Sequence, residues 1–335
     1  GLLFVVEEVY RHFSKLFWIS TLVASLVANF VSLVIFGLTP VLDMPDNIPA
    51  MKLEQYWIYL AMGILLGLAG YLYEKVVLYM PDLYKKIENN LNLSPNYYPA
   101  VAFVFILPLG YFLPQILGGG NQLILSLHSN KLLLSSLLVF FLIRFVWSMI
   151  SYGSGLPGGI FLPILALGSL LGAIVGNLCV QLGLVSWQQF PIFIILGMSG
   201  YFAAISKAPL TAIILVTEMV GDIRNLMPLA IVTLVAYIMM DLLGGDPVYE
   251  AMLEKMLPES IGDDSETTLI EIPVSEKIAN RHVRDLNLPS NVLIVMNVHK
   301  GKKRTVNGGS VLYLGDTIYL VVRQHEIGKI KDLLL

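Results

Sequence analysis

The chain has 335 residues, of which 56% are hydrophobic and only 13% are charged, whereas an average soluble domain has roughly 25% charged residues. This composition excludes a water-soluble fold for most of the chain. A formal net charge of -3 provides no basic field for nucleic acid, so we expect no nucleic-acid partner.

The charged residues are distributed unevenly along the chain. Residues 1–257 carry 25 of the 45 charged side chains, and residues 258–335 carry the other 20. We therefore predict a transmembrane domain over residues 1–257, a polar linker over 258–268 and a small soluble domain over 269–335. Because the chain opens with GLLFVVEEVY and no Met, we expect an N-terminal portion to precede it.

Long uncharged stretches mark the part that we expect to lie in the lipid bilayer. A helix that crosses ~30 Å of hydrocarbon needs about 20 mostly apolar residues. Glycine and proline interrupt the longest stretch, residues 145–206, which favours short or broken helices around an ion or substrate site. The predicted helices are residues 1–8, 15–37, 54–80, 97–113, 131–151, 159–182, 190–205, 209–219, 225–243 and 247–257.

Two adjacent acids, Glu7 and Glu8, follow the first apolar run, LLFVV. The basic residues Arg11 and Lys15 lie nearby, and by the positive-inside rule they predict that this end is cytoplasmic. One interpretation is that both carboxylates are solvated at the membrane surface. The other is a protonatable carboxylate at the rim of a proton or ion pathway, because ionisable groups near hydrocarbon are costly and tend to be functional.

The segment SYGSGLPGGIFLP, residues 151–163, is rich in glycine and proline and predicts a tight turn that leads into a helix starting near Gly159. Such a helix start presents the free N–H groups of Gly159, Ile160 and Phe161 and the positive end of the helix dipole. These groups suit a weakly hydrated anion such as chloride. Composition alone leaves open a second interpretation, a simple kink between two spans.

The motif GMSG, residues 197–200, matches the G-x-S-G pattern of intramembrane serine proteases. Such an enzyme needs a histidine base beside the serine, and none of the five histidines lies on a later membrane helix. Close helix packing through small residues explains the motif better. We therefore expect no enzymatic activity.

Two further residues stand out near the end of the membrane part. Glu218 is expected to form a structural ion pair with Arg144 or Arg224. Tyr249 begins the last membrane helix, where Pro247 suits an early helical position. A tyrosine at such a place is typical of an interfacial anchor.

The tail after residue 258 shows short alternating segments. LIEIPV and NVLIVMNVHK predict strands, GKKR a turn, VLYLGDTIYLVVR two short strands about a Gly-Asp turn, and HVRDLNL and EIGKIKDLLL helices. About 67 residues suffice for one small α+β domain, which we expect to pair with a copy of itself. Lys302, Lys303 and Arg304 are candidate contacts for a small anionic ligand, and a solvated turn is the alternative.

Taken in order, the membrane motifs resemble those of the CLC family of chloride channels and proton-coupled chloride transporters. The similar segments are GLLFVVEEVYRHF, GGGN, GSGLPGGIFLPILALGSLLG, GMSGYFAAISKAPLTAIILVTEM and GGDPVYEAML. The resemblance implies an all-α polytopic membrane domain of the CLC fold, with inverted repeats and broken helices, in a homodimer. It also implies that the chain carries the second half of that domain and the last two helices of the first.

The resemblance further implies roles for individual residues. Gly159, Ile160, Phe161 and Tyr249 would bind chloride, and Glu8 would transfer protons. The motifs for a chloride-binding serine and a gating glutamate would precede Gly1, and Lys207 stands where the family commonly has arginine. The implied function is chloride/proton antiport across a bacterial inner membrane, with chloride as substrate and no cofactor or metal; a passive chloride channel is the alternative.

Residues 269–335, with IANRHVRDLNLP and VLYLGDTIYLVV, resemble the TrkA C-terminal domain of bacterial cation-transport regulators. This resemblance implies a cytoplasmic regulatory module that dimerises or senses a small molecule, which in some relatives is a cyclic dinucleotide. Considered alone, the tail also suits a membrane or regulatory subunit of a cation transporter. Against that interpretation, the membrane part has no signature of a carbonyl-lined cation filter.

Overall fold

The computed structural model of the protein describes residues 2–4, 7, 15–37, 40–45, 48–91, 97–129, 131–156, 158–256, 267–286, 288–289, 292–299, 301–323, 330 and 333–334. These residues form two compact units, which divide along the chain between Met252 and Leu253. The predicted fold class, a helical membrane domain followed by a small α+β domain, is confirmed.

The regular secondary structure of the first unit is helical in its described residues. Six of its helical segments are long and apolar enough to cross a membrane. Its helices are Leu2–Phe4 (α1), Lys15–Phe36 (α2), Trp57–Leu91 (α3), Tyr98–Phe112 (α4), Asn121–Ser129 (α5), Leu134–Gly153 (α6), Phe161–Gln181 (α7), Phe190–Ser206 (α8), Pro209–Val220 (α9), Leu226–Leu242 (α10) and Val248–Met256 (α11).

Two helices differ from the sequence prediction. Helix α3 continues through Pro81 to Leu91, because its last turns pack on α6: Tyr84 is buried, and its hydroxyl donates to the Ile150 carbonyl at 2.8 Å. That burial outweighs the hydrogen bond that the proline removes. Helix α5 was not predicted, since it lies inside a long uncharged stretch that has no polar boundary. It buries Leu123, Ile124 and Leu127 on one face.

Helix α8 forms the centre of the first unit, and all of its residues are buried. Its partner α7 approaches closely because glycines face each other. A Cβ atom at Gly172 would lie 2.0 Å from the Phe193 carbonyl oxygen, and one at Gly197 would lie 2.2 Å from the Gly168 carbonyl oxygen. The hydroxyl of Ser199 in the GMSG motif is hydrogen-bonded to the Thr233 hydroxyl at 2.9 Å. The predicted packing role of the GMSG motif is therefore confirmed.

The second unit contains a four-stranded antiparallel sheet. Its strands are Thr267–Pro273 (β1), Leu293–His299 (β2), Lys302–Thr305 (β3) and Thr317–Arg323 (β4), in the spatial order β1-β4-β2-β3. Hydrophobic side chains from alternate positions, among them Ile272, Ile294, Ile318 and Leu320, form its buried core. The alternation of apolar and polar residues thus identified β1, β2 and β4 correctly.

Three tail predictions were wrong in detail. The segment GKKR is a turn only at Gly301, which has φ 76, and the next residues form β3 because they pair with the end of β2. HVRDLNL forms one 3-10 turn, Val283–Leu286. VLYL contributes a single bridge from Val311 to His282 instead of a strand. Most of the predicted last helix lies outside the described residues.

Candidate functional site

The start of α7 lies where the glycine-rich segment ends. Gly155 has φ 74, a conformation that glycine adopts without strain, and it turns the chain after α6. Helix α7 begins at Phe161 with Ile160 as its N-cap, slightly later than the predicted start at Gly159. The glycines before it have no side chain to pack, whereas the Phe161 ring packs edge-on against Phe202 at a centroid distance of 5.2 Å.

The N–H groups at this helix start have no hydrogen-bond partner among the described residues. Those of Ile160 and Phe161 donate no hydrogen bond to any described residue, and they carry the positive end of the dipole of a 21-residue helix. Such a helix end stabilises an anion. Gly159 lies before the helix, where its carbonyl accepts a hydrogen bond from the Tyr152 hydroxyl at 3.3 Å.

Tyr249, the second residue of α11, belongs to a cluster of aromatic side chains. Its ring contacts Phe4 edge-on at a centroid distance of 5.9 Å, and its neighbours include Tyr73 and Tyr152. Because Tyr152 also bonds Gly159, it connects Tyr249 with the start of α7. The structure therefore brings together the segments that carry Gly159, Ile160, Phe161 and Tyr249.

Arg144 is a candidate functional residue that sequence reasoning missed. It is only 2% exposed, and its guanidinium donates to the carbonyls of Ile116, Gly118 and Gly119, the last two at 2.7 and 2.9 Å. The expected pairing with Glu218 is wrong, because Arg144 bonds these carbonyls and Arg224 pairs with Asp222 at 2.9 Å. A signal was present in the sequence: Arg144 is the only charged residue between Lys131 and Lys207.

The guanidinium of Arg144 and the start of α7 border the same cavity. This cavity has a volume of about 600 Å³ and is lined in part by Gly118, Gly119, Arg144, Tyr152, Gly159 and Phe161. Carbonyl oxygens partly offset the positive charge of Arg144 but do not neutralise it, since no described carboxylate pairs with it. Both the guanidinium and the helix dipole therefore favour anions in the cavity.

Of the paired glutamates, Glu7 has a defined position in the structure. The carboxylate of Glu7 accepts hydrogen bonds from the N–H groups of Leu210 at 3.2 Å and Thr211 at 2.6 Å. Glu7 thereby caps the N-terminus of α9, an arrangement that local sequence could not predict because the partners are 203 and 204 residues apart. Glu8, the candidate proton-transfer residue, lies outside the described residues.

In the tail, the three predicted ligand contacts lie on β3. All four β3 residues are exposed, but Arg304 also lines a cavity of about 230 Å³ together with Asn297, His299, Ser310 and Tyr313. Lys302 and Lys303 do not line that cavity. Beside it, the Asp316 carboxylate accepts from the Asn297 amide at 2.8 Å and bonds the His299 Nδ1 atom at 2.7 Å. Arg304 is therefore the best placed of the three for ligand contact.

Comparisons with known proteins extend this description. A family model described as voltage gated chloride channel matches residues 1–241. The chain belongs to the voltage-gated chloride channel family, or CLC family. A second model, the TrkA-C domain, matches residues 268–335. Both resemblances stated from the motifs are thus confirmed, and the match to the CLC family covers most of the chain.

Individual relatives of this CLC protein are named as exchangers. The H(+)/Cl(-) exchange transporter ClcA of Vibrio parahaemolyticus is 35% identical over 260 residues, which are 77% of this chain and 55% of the relative. ClcA of Vibrio cholerae is 33% identical over 269 residues. The chain thus spans about half the length of the curated relatives that it matches and lies in a family of transporters.

Solved structures support the same fold. A slow cyanobacterial Cl-/H+ antiporter superposes with a TM-score of 0.69 and 27% identity, covering 76% of this chain and 60% of that chain. A CLC-type fluoride/proton antiporter gives a TM-score of 0.56 at 20% identity, over 70% of this chain and 55% of the other. The second likeness concerns the fold alone. The apolar helices of the chain and its membership of the CLC family show that it is part of a multi-pass membrane protein.

Proposed function

We propose that the whole protein exchanges chloride for protons across the membrane. The observation that carries this proposal is the start of α7, where the N–H groups of Ile160 and Phe161 are free of described partners and Tyr249 is brought near through Tyr152. Removing the hydration shell of chloride costs less free energy than removing that of a smaller anion. A few oriented N–H and O–H groups can therefore replace its water. The names of the ClcA relatives support the same activity.

Chloride occupies the space between the α7 start and Tyr249 in this proposal. The N–H groups of Ile160 and Phe161 and the Tyr249 hydroxyl donate to it, with Gly159 shaping the approach because it has no side chain. Arg144 adds positive potential to the adjoining cavity and steers anions toward the site. The substrate is the chloride ion itself, and no cofactor is invoked.

The proton moves through carboxylates, and we assign the first transfer to Glu8. Its neighbour Glu7 is fixed at the N-terminus of α9 by two backbone hydrogen bonds. These two hydrogen bonds give Glu7 a structural role as the cap of α9. Glu8 is therefore the better candidate of the pair for proton transfer.

We also propose how the protein is organised beyond the site. The transmembrane domain covers residues 1–257, a linker 258–268 and the TrkA-C-like domain 269–335. The protein lies in the bacterial inner membrane as a homodimer, with the tail in the cytoplasm. The cavity beside Arg304 would take a small anionic ligand, such as a cyclic dinucleotide, through that guanidinium.

Proton movement under a chloride gradient tests the proposal. The full-length protein is reconstituted in liposomes, and proton uptake and chloride flux are measured for the wild type, Glu8→Gln and Glu7→Gln. Glu8→Gln removes the titrating group, so proton uptake should fall to the level of protein-free liposomes while chloride flux persists. Glu7→Gln is the matched control, since it keeps an acceptor at α9 and should affect coupling less.

Two results would contradict the assignment. If the wild type moves chloride but no protons, the protein is a passive chloride channel. If Glu8→Gln couples as well as the wild type, the proton takes another route.

A further inference from the structure

Glu74 is a buried carboxylate to which the chloride site and the paired glutamates assign no role. Its side chain is 0% exposed and lies in the middle of α3. One oxygen, Oε1, contacts the Lys75 ammonium at 3.3 Å, whereas Oε2 is buried and has no hydrogen-bond partner among the described residues. A buried acceptor without a partner is costly when charged, so its presence calls for a function.

The register of the helices shows what lies opposite Glu74. Helices α3 and α8 run in the same direction, since Gly200 lies against Leu66 and Gly70 lies against Ala204. One turn further along, Glu74 lies level with the residues just after Ser206, where α8 ends. The C-terminus of α8, with the negative end of its dipole, therefore lies level with Glu74.

On its other side, Glu74 faces the connection that leads to Tyr249. A Cβ atom at Gly245 would lie 2.9 Å from Glu74 Oε2 and 2.4 Å from the Met240 methyl group, so the carboxylate abuts the backbone at Gly245. Only three residues separate Gly245 from Tyr249. Glu74 therefore borders the segment that leads to the tyrosine.

Among the described residues, one cation, Lys75, pairs with Glu74. Lys75 has a side chain that is 48% exposed and is the only described ion-pair partner of Glu74. Lys207, after α8, is bound to Asp241 of α10 at 2.8 Å. Asp246 in the connection and Glu250 on α11 are exposed acids, and they add negative potential.

The remaining titratable groups close to this region lie around Tyr73, on the same helix as Glu74. They are Arg144 and Tyr152 on α6 and Tyr201 on α8. The guanidinium of Arg144 is held by carbonyl oxygens. The surroundings of Glu74 thus combine burial, a helix C-terminus and one half-exposed cation. A buried carboxylate in such surroundings is a candidate for a functional role.

We propose that Glu74 is a proton-binding site whose occupancy is linked to chloride bound at Tyr249. Chloride brings a negative charge to the other end of the α10–α11 connection and favours the neutral form of Glu74, so chloride binding takes up a proton. By reciprocity, a proton on Glu74 tightens chloride binding. This linkage rests on the proposed chloride site but does not require that protons cross the membrane.

Chloride affinity measured against pH tests the proposal. Calorimetric titration of the full-length protein gives the chloride Kd from pH 5 to 8, and a fully linked proton weakens binding about tenfold for each pH unit of rise. In Glu74→Gln the chloride Kd should change less with pH than in the wild type, by a factor of up to about ten per pH unit. Glu88→Gln, the same substitution near the C-terminal end of α3, is the matched control. It should leave the pH dependence of the chloride Kd unchanged.

Lys75→Gln provides an independent second variant, because Lys75 is half-exposed and its loss should not prevent folding. Removing the ammonium group strengthens proton binding at Glu74. The pH range over which the chloride Kd changes should therefore move to higher pH. Identical pH dependence in the wild type, Glu74→Gln and Lys75→Gln would overturn the proposal. A wild type that moves no protons in liposomes but differs from Glu74→Gln in this titration would refute antiport and leave the linkage standing.

Discussion

At the scale of residues, polar side chains with specific hydrogen-bond partners carry most of the functional information. Arg144 is held by carbonyl oxygens, Glu7 by the N–H groups of α9, and Asp316 by Asn297 and His299. Each partner is distant in sequence. The sequence therefore identified the residue types but not their partners, and it could not distinguish the capping Glu7 from a solvated acid.

Asp316 allows a prediction about pH and stability in the tail. Burial raises the pKa of its carboxyl, but the hydrogen bonds from Asn297, His299 and the Tyr313 N–H outweigh burial, so the pKa is lowered below its usual value. A lowered pKa in the folded state means that the stabilisation is present above the unfolded pKa, near pH 4. It is lost as pH falls through the folded pKa.

Asp316→Asn should therefore destabilise the tail at pH 7 by about 1–3 kcal/mol, because charge-assisted hydrogen bonds are lost. Hydrogen exchange of β2 and β4 amides in the full-length protein, corrected for intrinsic rates, measures the effect. The difference from the wild type should shrink below pH 4. The exposed Asp285→Asn serves as control, and a difference that grows on acidification would contradict the assignment.

At the scale of elements, glycine contacts determine how closely the membrane helices approach. The pattern of uncharged stretches predicted most helices of the first unit, but it missed α5 and ended α3 too early. Both errors have one cause: apolar periodicity is uninformative where nearly every residue is apolar. The contacts of Tyr84 that extend α3 are tertiary and leave no local signal.

The packing of α7 against α8 leads to a second prediction. Gly197→Ala places a methyl group against the Gly168 carbonyl and the Gly172 Cα atom, which are backbone atoms that cannot move aside. The substitution should destabilise the protein by about 1–3 kcal/mol. Thermal unfolding of the full-length protein in detergent measures this, with Gly158→Ala as control because no atom lies within 4 Å of its Cβ position. Equal melting temperatures for the two variants would refute the packing argument.

At the scale of the whole molecule, the candidate anion site draws on segments far apart in the chain. Phe4, Tyr73, Tyr152, Phe161 and Tyr249 come from α1, α3, α6, α7 and α11. The motif of residues 151–163 predicted the helix start, because glycine and proline restrict the backbone locally. The proximity of Tyr249 to Tyr152 could not be predicted from the residues alone, since it depends on how α6 and α11 pack.

Halide density at the start of α7 tests the central claim most directly. Crystals of the full-length protein grown in bromide would give an anomalous difference map, since bromide replaces chloride at weakly hydrating sites. We predict a bromide peak within hydrogen-bonding distance of the N–H groups of Ile160 and Phe161 and of the Tyr249 hydroxyl. A map with bromide peaks elsewhere in the membrane domain and none at this position would contradict the account.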